Sequence, residues 1–256
     1  MEDVLSLRTR RVVLGLVVLL AAMVLLYDRH TRSGRAAVSL AALTAARARG
    51  DIVLPVPHAP GPITLDGDTD DPAWVMPPGP ARTGDFLYDD GRAARPYSSA
   101  RFVWGGDYLY LALYASDQDI ESHTDQPDQP IPLEDDFFEV VFQQEDVEYS
   151  ILVTPKALIT DGVRRRSEGG PLDLSWNSGA HASWEIDGSL NNSKGKDEEW
   201  AIELAVPFES LQLRGEPGEN IGLSIRRCDI PKGAPRICAG WGDGPGGRVR
   251  GRIVLE

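Results

Sequence analysis

The stretch from Leu133 to Val153 constrains the fold most. Phe138, Val140 and Phe142 repeat at every second residue, while Phe137, Glu139 and Val141 fall on the opposite side. A period of two is that of a β-strand, not a helix. One face of this strand is wholly apolar. The other carries a single carboxylate, Glu139, between apolar neighbours, and desolvating such a group alone is costly. Glu139 is therefore a candidate ligand-binding residue; a carboxylate capping a sheet edge or facing water is the plainer alternative.

Short alternating segments recur along the chain. They include Ser99–Trp104, Tyr108–Tyr114, Tyr149–Val153, Ala157–Gly162, His181–Ile186, Trp200–Val206, Ile221–Arg227, Arg236–Trp241 and Gly251–Leu255. Gly-, Pro- and Asp-rich turns separate them, and only Pro207–Leu211 reads as a helical turn. The expected fold is an all-β, antiparallel β-sandwich of jelly-roll-like form. Trp74, Trp104, Trp184 and Trp200 are expected in its core, and Trp241 fits either the core or a ligand face. Tyr108, Tyr110 and Tyr114 share one face of their strand, either as packing or as a stacking platform. Arg164-Arg165-Arg166 reads as a solvated loop.

The N-terminal end differs in character. Arg8, Arg10 and Arg11 precede an apolar run from Val12 to Tyr27. With snorkelling arginines such a run approaches the ~30 Å hydrocarbon layer, and no small-residue cleavage site follows it directly. One N-terminal transmembrane helix, an uncleaved signal-anchor over residues 1–30, is expected. Residues 31–62 follow as a juxtamembrane helix and linker, because Pro55, Pro57, Pro60 and Pro62 disfavour helix and central strand. The sandwich is then expected over residues 63–256. The basic N-terminal flank implies a single-pass protein of the inner, cytoplasmic membrane with a periplasmic or extracellular domain; cleavage of the segment would make it secreted.

Charge divides the chain in the same place. Residues 1–50 hold eight Lys or Arg and three Asp or Glu, which leaves 18 basic and 36 acidic residues for the remainder. So acidic a body repels nucleic acid and anionic lipid and suits neutral ligands or cations. Asp117, at the end of one strand, and Asp136, at the start of the next, are candidate ligands for Ca²⁺, a hard cation that prefers oxygen donors. The acidic turn Asp66–Asp71 does not follow the order of a helix-loop-helix calcium site. Cys228 and Cys238 flank a Pro-Gly turn, where a cross-strand disulfide and two reduced thiols are both possible.

In order and spacing these segments resemble family 9 carbohydrate-binding modules and related DOMON-like sandwiches. The resemblance rests on Ile63–Gly67 with Pro72-Ala73-Trp74, Phe102-Val103-Trp104 with Asp107–Leu111, Asp135–Phe142, Tyr149-Ser150-Ile151, Trp200–Glu203 with Val206-Pro207-Phe208, Gly222–Arg227 and Trp241. It implies a non-catalytic, secreted or envelope module that binds poly- or oligosaccharide and is often stabilised by Ca²⁺. Glu139 matches the family's ligand-facing glutamate, and Asp117 and Asp136 match calcium positions. Trp241 and Tyr149 complete the expected saccharide-binding set, Tyr149 lying on the strand from which the family extends an arginine. One departure is Leu133, which stands where a stacking tryptophan is expected. The alternative reading is an envelope protein–protein interaction or scaffold module, and a glycoside hydrolase using Glu139 with Glu203 is a third.

Overall fold

The computed structural model describes Met23 and residues 51–131, 134–192, 194–244 and 248–256. The expected membrane helix, apart from Met23, and residues 31–50 of the juxtamembrane segment lie outside the described residues, as does Leu133. Among the described residues no helix is long and apolar enough to cross a membrane.

The strands are β1 (Ile52–Val56), β2 (Ala81–Arg82), β3 (Ser98–Gly105), β4 (Tyr108–Ser116), β5 (Phe137–Gln144), β6 (Val147–Val153), β7 (Ile159–Arg165), β8 (His181–Asp187), β9 (Glu199–Pro207), β10 (Asn220–Asp229), β11 (Ile237–Trp241), β12 (Asp243–Gly244), β13 (Arg248–Val249) and β14 (Gly251–Leu255). One sheet has the order β1-β14-β10-β5-β6-β7, with β11 also paired to β10; the second has the order β2-β3-β4-β9-β8, and β12 pairs with β13. Their facing sides supply the core. Phe138, Val140 and Phe142 from β5 are fully buried together with Trp200, Ile202 and Leu204 from β9. The Phe138 and Trp200 rings stand 5.0 Å apart. The alternation seen in the sequence is thus the physical sandwich, each strand giving one side to the interior.

Three expectations require correction. The sandwich already includes Ile52–Val56, upstream of the expected start near Ile63: β1 pairs in parallel with β14, Ile52 opposite Gly251 and Val56 opposite Leu255, and Val56 is fully buried. Pro55 is tolerated because β1 is an edge strand. The chain then crosses to the other sheet, where Ala59 N–H donates to Trp104 O at 2.7 Å and Trp104 N–H to Pro57 O at 3.1 Å, so the proline-rich segment ties the two sheets together. Arg164 and Arg165 belong to β7 and are not loop residues. Trp184 is 45% exposed because β8 is the edge of its sheet and no strand covers it there.

The outer side of the second sheet is closed by residues 63–76, including the one-turn helix α1 (Pro72–Val75). Glu203, fully buried on β9, accepts hydrogen bonds from Trp74 Nε1 at 2.8 Å, Gly67 N–H at 3.0 Å and Asp66 N–H at 3.1 Å. Gly67 has φ +100° and lies against the Trp184 carbonyl, so a side chain there would be strained and would collide. The tyrosines of β4 lie on this side. Tyr108 and Tyr110 are 5.9 Å apart and Tyr114 is 6.2 Å from Tyr97, the two pairs flanking Ala112 beneath Trp74.

Candidate ligand-binding face

Glu139 looks outward from β5 in the middle of the first sheet. Arg226 on β10 and Leu152 on β6 are its register partners, and Gly240 of β11 lies beyond Arg226. The glutamate is half-buried, and Ser150 Oγ donates to its Oε1 at 3.2 Å. Burial holds its carboxyl above the usual range; the Ser150 hydrogen bond and the Arg226 charge act in the opposite direction. Arg226 Nε is 3.7 Å from Asp243 Oδ2, which brings a second carboxylate to this face.

Beside these groups is a cleft of about 570 Å³, lined in part by Arg226, Asp243, Asp85, Leu87, Tyr88 and Trp241. Its far wall exists because Leu87 exchanges backbone hydrogen bonds of 2.8 and 2.9 Å with Gly240, which docks the 85–89 segment onto β11. Glycine is required at position 240, since a Cβ would sit 2.9 Å from the Ile225 carbonyl and run into Asp243. The cleft offers carboxylate acceptors, a guanidinium donor and an apolar side from Leu87, which is 46% exposed. Such a mixture suits a neutral ring bearing hydroxyls. Arg226, Asp243 and Leu87 were not evident as site residues, although Arg226 is the polar member of the alternation Ile225-Arg226.

Two residues expected at this face are placed elsewhere. Trp241 is only 8% exposed and packs in the core, because it is opposite Ile225 in the β10–β11 ladder and shares that residue's inward direction. It reaches the cleft only as part of the lining. Tyr149 faces inward, opposite Phe142 and one residue out of phase with Ser150, and so cannot join Glu139. Its ring packs on Trp176 at 5.3 Å. Glu203 lies on the other sheet, beneath α1, so it and Glu139 do not flank one cleft as a pair of glycosidase carboxylates must.

Asp117 and Asp136 do come together, and Asp229 joins them: each offers a carboxylate oxygen, and all three lie within 4.8 Å of one another. Arg227, one residue from Arg226 and pointing inward, donates to Asp117 Oδ2 at 2.7 Å and Asp229 Oδ1 at 2.8 Å. Trp200 Nε1 also donates to Asp117 Oδ2, at 3.0 Å. Asp136 accepts from Glu121 N–H at 2.8 Å and Ile230 N–H at 2.7 Å. Burial, then the Asp117 charge, pushes Asp136 up to about 8, and burial pushes Asp229 up to about 6 despite Arg227. Nearby Asp119 is buried, with Oδ1 lacking a hydrogen-bond partner among the described residues. Cys228 and Cys238, opposite each other on β10 and β11, are joined by a disulfide.

No family model and no curated protein matches this chain. Solved structures do. A family 9 carbohydrate-binding module from Caldicellulosiruptor kristjanssonii in complex with cellotriose is 16% identical over 80% of this chain and 93% of that one, with a TM-score of 0.52. The complex with glucose gives 15% identity, 79% and 95% coverage and a TM-score of 0.52. A candidate carbohydrate-binding protein from Bacteroides uniformis ATCC 8492 is 13% identical over 80% of this chain and all of that one, with a TM-score of 0.58. The fold is that of the family 9 carbohydrate-binding modules.

Proposed function

We propose that this chain is a non-catalytic saccharide-binding module that holds a sugar unit in the cleft beside Glu139 and Arg226. The observation that carries the reading is the outward carboxylate–guanidinium pair next to a cleft of about 570 Å³ on a sandwich of this fold. Ionised Glu139 and Asp243 accept hydrogen bonds from ring hydroxyls, Arg226 donates them, and Leu87 and Tyr88 cover the C–H face. The neighbouring modules bind cellotriose and glucose, which makes these the first probes. Isothermal titration of the full chain with both sugars, with and without Glu139→Gln, tests it. Absence of heat from either sugar, or equal affinity in the variant, removes this assignment.

A structural Ca²⁺ belongs to the same proposal. Asp117, Asp136 and Asp229 would hold it, with Asp119 beside them. The donor set is all oxygen, Asp117 Oδ1 and the carboxylate oxygens of Asp136 and Asp229 each accept no more than one hydrogen bond among the described residues and so keep a lone pair, and one arginine against four carboxylates leaves negative charge for a cation to offset. The apolar run Val12–Tyr27 supports a tether to the inner membrane, and the Cys228–Cys238 disulfide supports an oxidising, periplasmic or extracellular setting.

A second reading, an envelope protein-interaction module, is favoured by the aromatic placement. Among the described residues, Trp241 is interior and the exposed Trp184 is on the other sheet, so no tryptophan presents an open face beside Glu139. A stoichiometric protein partner together with silence towards sugars would select it.

A further inference from the structure

We infer that the cleft between Tyr149 and Trp176 is a second ligand site, distinct from the Glu139 face, and that it takes a neutral saccharide unit. The cleft measures about 600 Å³, within the roughly 300–1,000 Å³ of small-molecule sites. Its wall carries the two rings, 5.3 Å apart and inclined at 46°. Tyr149 is 3% exposed, and its hydroxyl is buried without a hydrogen-bond partner among the described residues. A buried hydroxyl left in that state is costly and is rarely kept without a role.

The rest of the lining comes from both sheets. Arg165 ends β7 and Glu168 follows it, with 3.9 Å between Arg165 Nε and the carboxylate, while Glu209 and Gln212 come from the 3₁₀ turn (Glu209–Leu211) after β9 and the residue beyond it. Opposite charges are interleaved here, so neither an anion nor a cation is favoured as occupant. Donors and acceptors around aromatic rings match a molecule with a hydroxylated rim and an apolar C–H face, which is the surface of a pyranose. Trp176 follows Leu172 and Leu174, which cover Gly162 of β7 closely enough that a Cβ there would meet both at 3.0 Å. The segment carrying the indole is thereby held against the sheet, so its ring is positioned before a ligand arrives.

The test uses the full chain, nitrogen-labelled, titrated with glucose and with cellotriose at millimolar concentration while the Trp176 indole N–H is followed by NMR. The assignment of that signal comes from Trp176→Phe. The site predicts a saturable shift of the Trp176 signal that persists in Glu139→Gln. Trp176→Ala should weaken this class of binding by about tenfold, and Tyr149→Phe, which keeps the ring and its packing, by a few-fold. Glu168→Ala, at an exposed position, serves as the variant with least risk to folding and should lower the affinity slightly. A Trp176 signal unmoved by either sugar overturns the inference, and so does a shift that disappears with Glu139→Gln, which would mean one site only. A shift at Trp176 with none at Glu139 supports this cleft and removes the face described above.

Discussion

Arg227 and Arg226 are consecutive yet oppositely directed: Arg227 is 4% exposed and donates to Asp117 at 2.7 Å inside the sandwich, whereas the Arg226 side chain is 44% exposed on the outer face. The alternation of a strand sends one guanidinium into the interior and the next to the proposed binding face within a single dipeptide. Arg227→Met should cost about 3–5 kcal/mol, because it strands buried carboxylates. Arg226→Met should change stability by less than about 0.5 kcal/mol while weakening sugar binding. Urea unfolding alongside calorimetric titration of the two variants reads both effects.

Glu139 has its carboxyl raised by burial, so its ionised form opposes folding. For a carboxyl whose folded pKa exceeds its unfolded one, that destabilisation is present above the folded pKa and is relieved as pH falls through it. Sugar binding runs the other way, since protonation removes an acceptor. Glu139→Gln is therefore expected to raise the melting temperature slightly near neutrality and to weaken binding by roughly tenfold or more. In the parent, affinity should fall as pH is lowered through the raised range. A variant less stable and equally tight would contradict both assignments.

Glu203 accepts three hydrogen bonds while fully buried, and these fasten residues 66–74 onto the second sheet. Glu203→Ala leaves three donors unsatisfied and should cost about 3 kcal/mol or more. Sugar affinity of the folded fraction should stay unchanged. Accelerated amide exchange around Trp74 would locate the damage.

Calcium held as proposed by Asp117, Asp136 and Asp229 would stabilise the native state by mass action. At a hundredfold excess over its dissociation constant the gain is about 2.7 kcal/mol. Differential scanning calorimetry in calcium and in chelator should separate the two melting temperatures, and Asp136→Asn should bring them together. Identical curves for the parent would remove the ion.

The Cys228–Cys238 disulfide closes a short loop, so its reduction should cost about 2–3 kcal/mol. Because Gly240 of the same strand forms part of the cleft, reduction is also expected to weaken sugar binding. Denaturant midpoints and affinities with and without reductant measure the two together.

The sandwich was legible in the sequence because its strands give opposite faces opposite chemistry, as Phe138 and Glu139 do. Convergence of Asp117 with Asp136 was legible from their places at strand ends. What escaped notice depended on register. Tyr149 shares its direction with Ile151 and Val153, an apolar set that marks the interior, while Trp241 turns inward only because it is opposite Ile225. Arg227 and Asp229 look like surface charges until the residues that neutralise them are known. The prolines around residue 55 suggested a linker because an edge strand paired on one side tolerates them, a possibility that composition does not distinguish.

The parallel pairing of β1 with β14 has a steric consequence. Ile52, exposed and next to Gly251, also lines the cleft of Arg226 and Asp243, so residue 51 joins the domain at the rim of that cleft. A polymer threading straight across would meet the start of β1 at Ile52 on one side. At the proposed site a terminal sugar approaching end-on would avoid β1, so the tips of glycans are expected to bind more readily than their interiors.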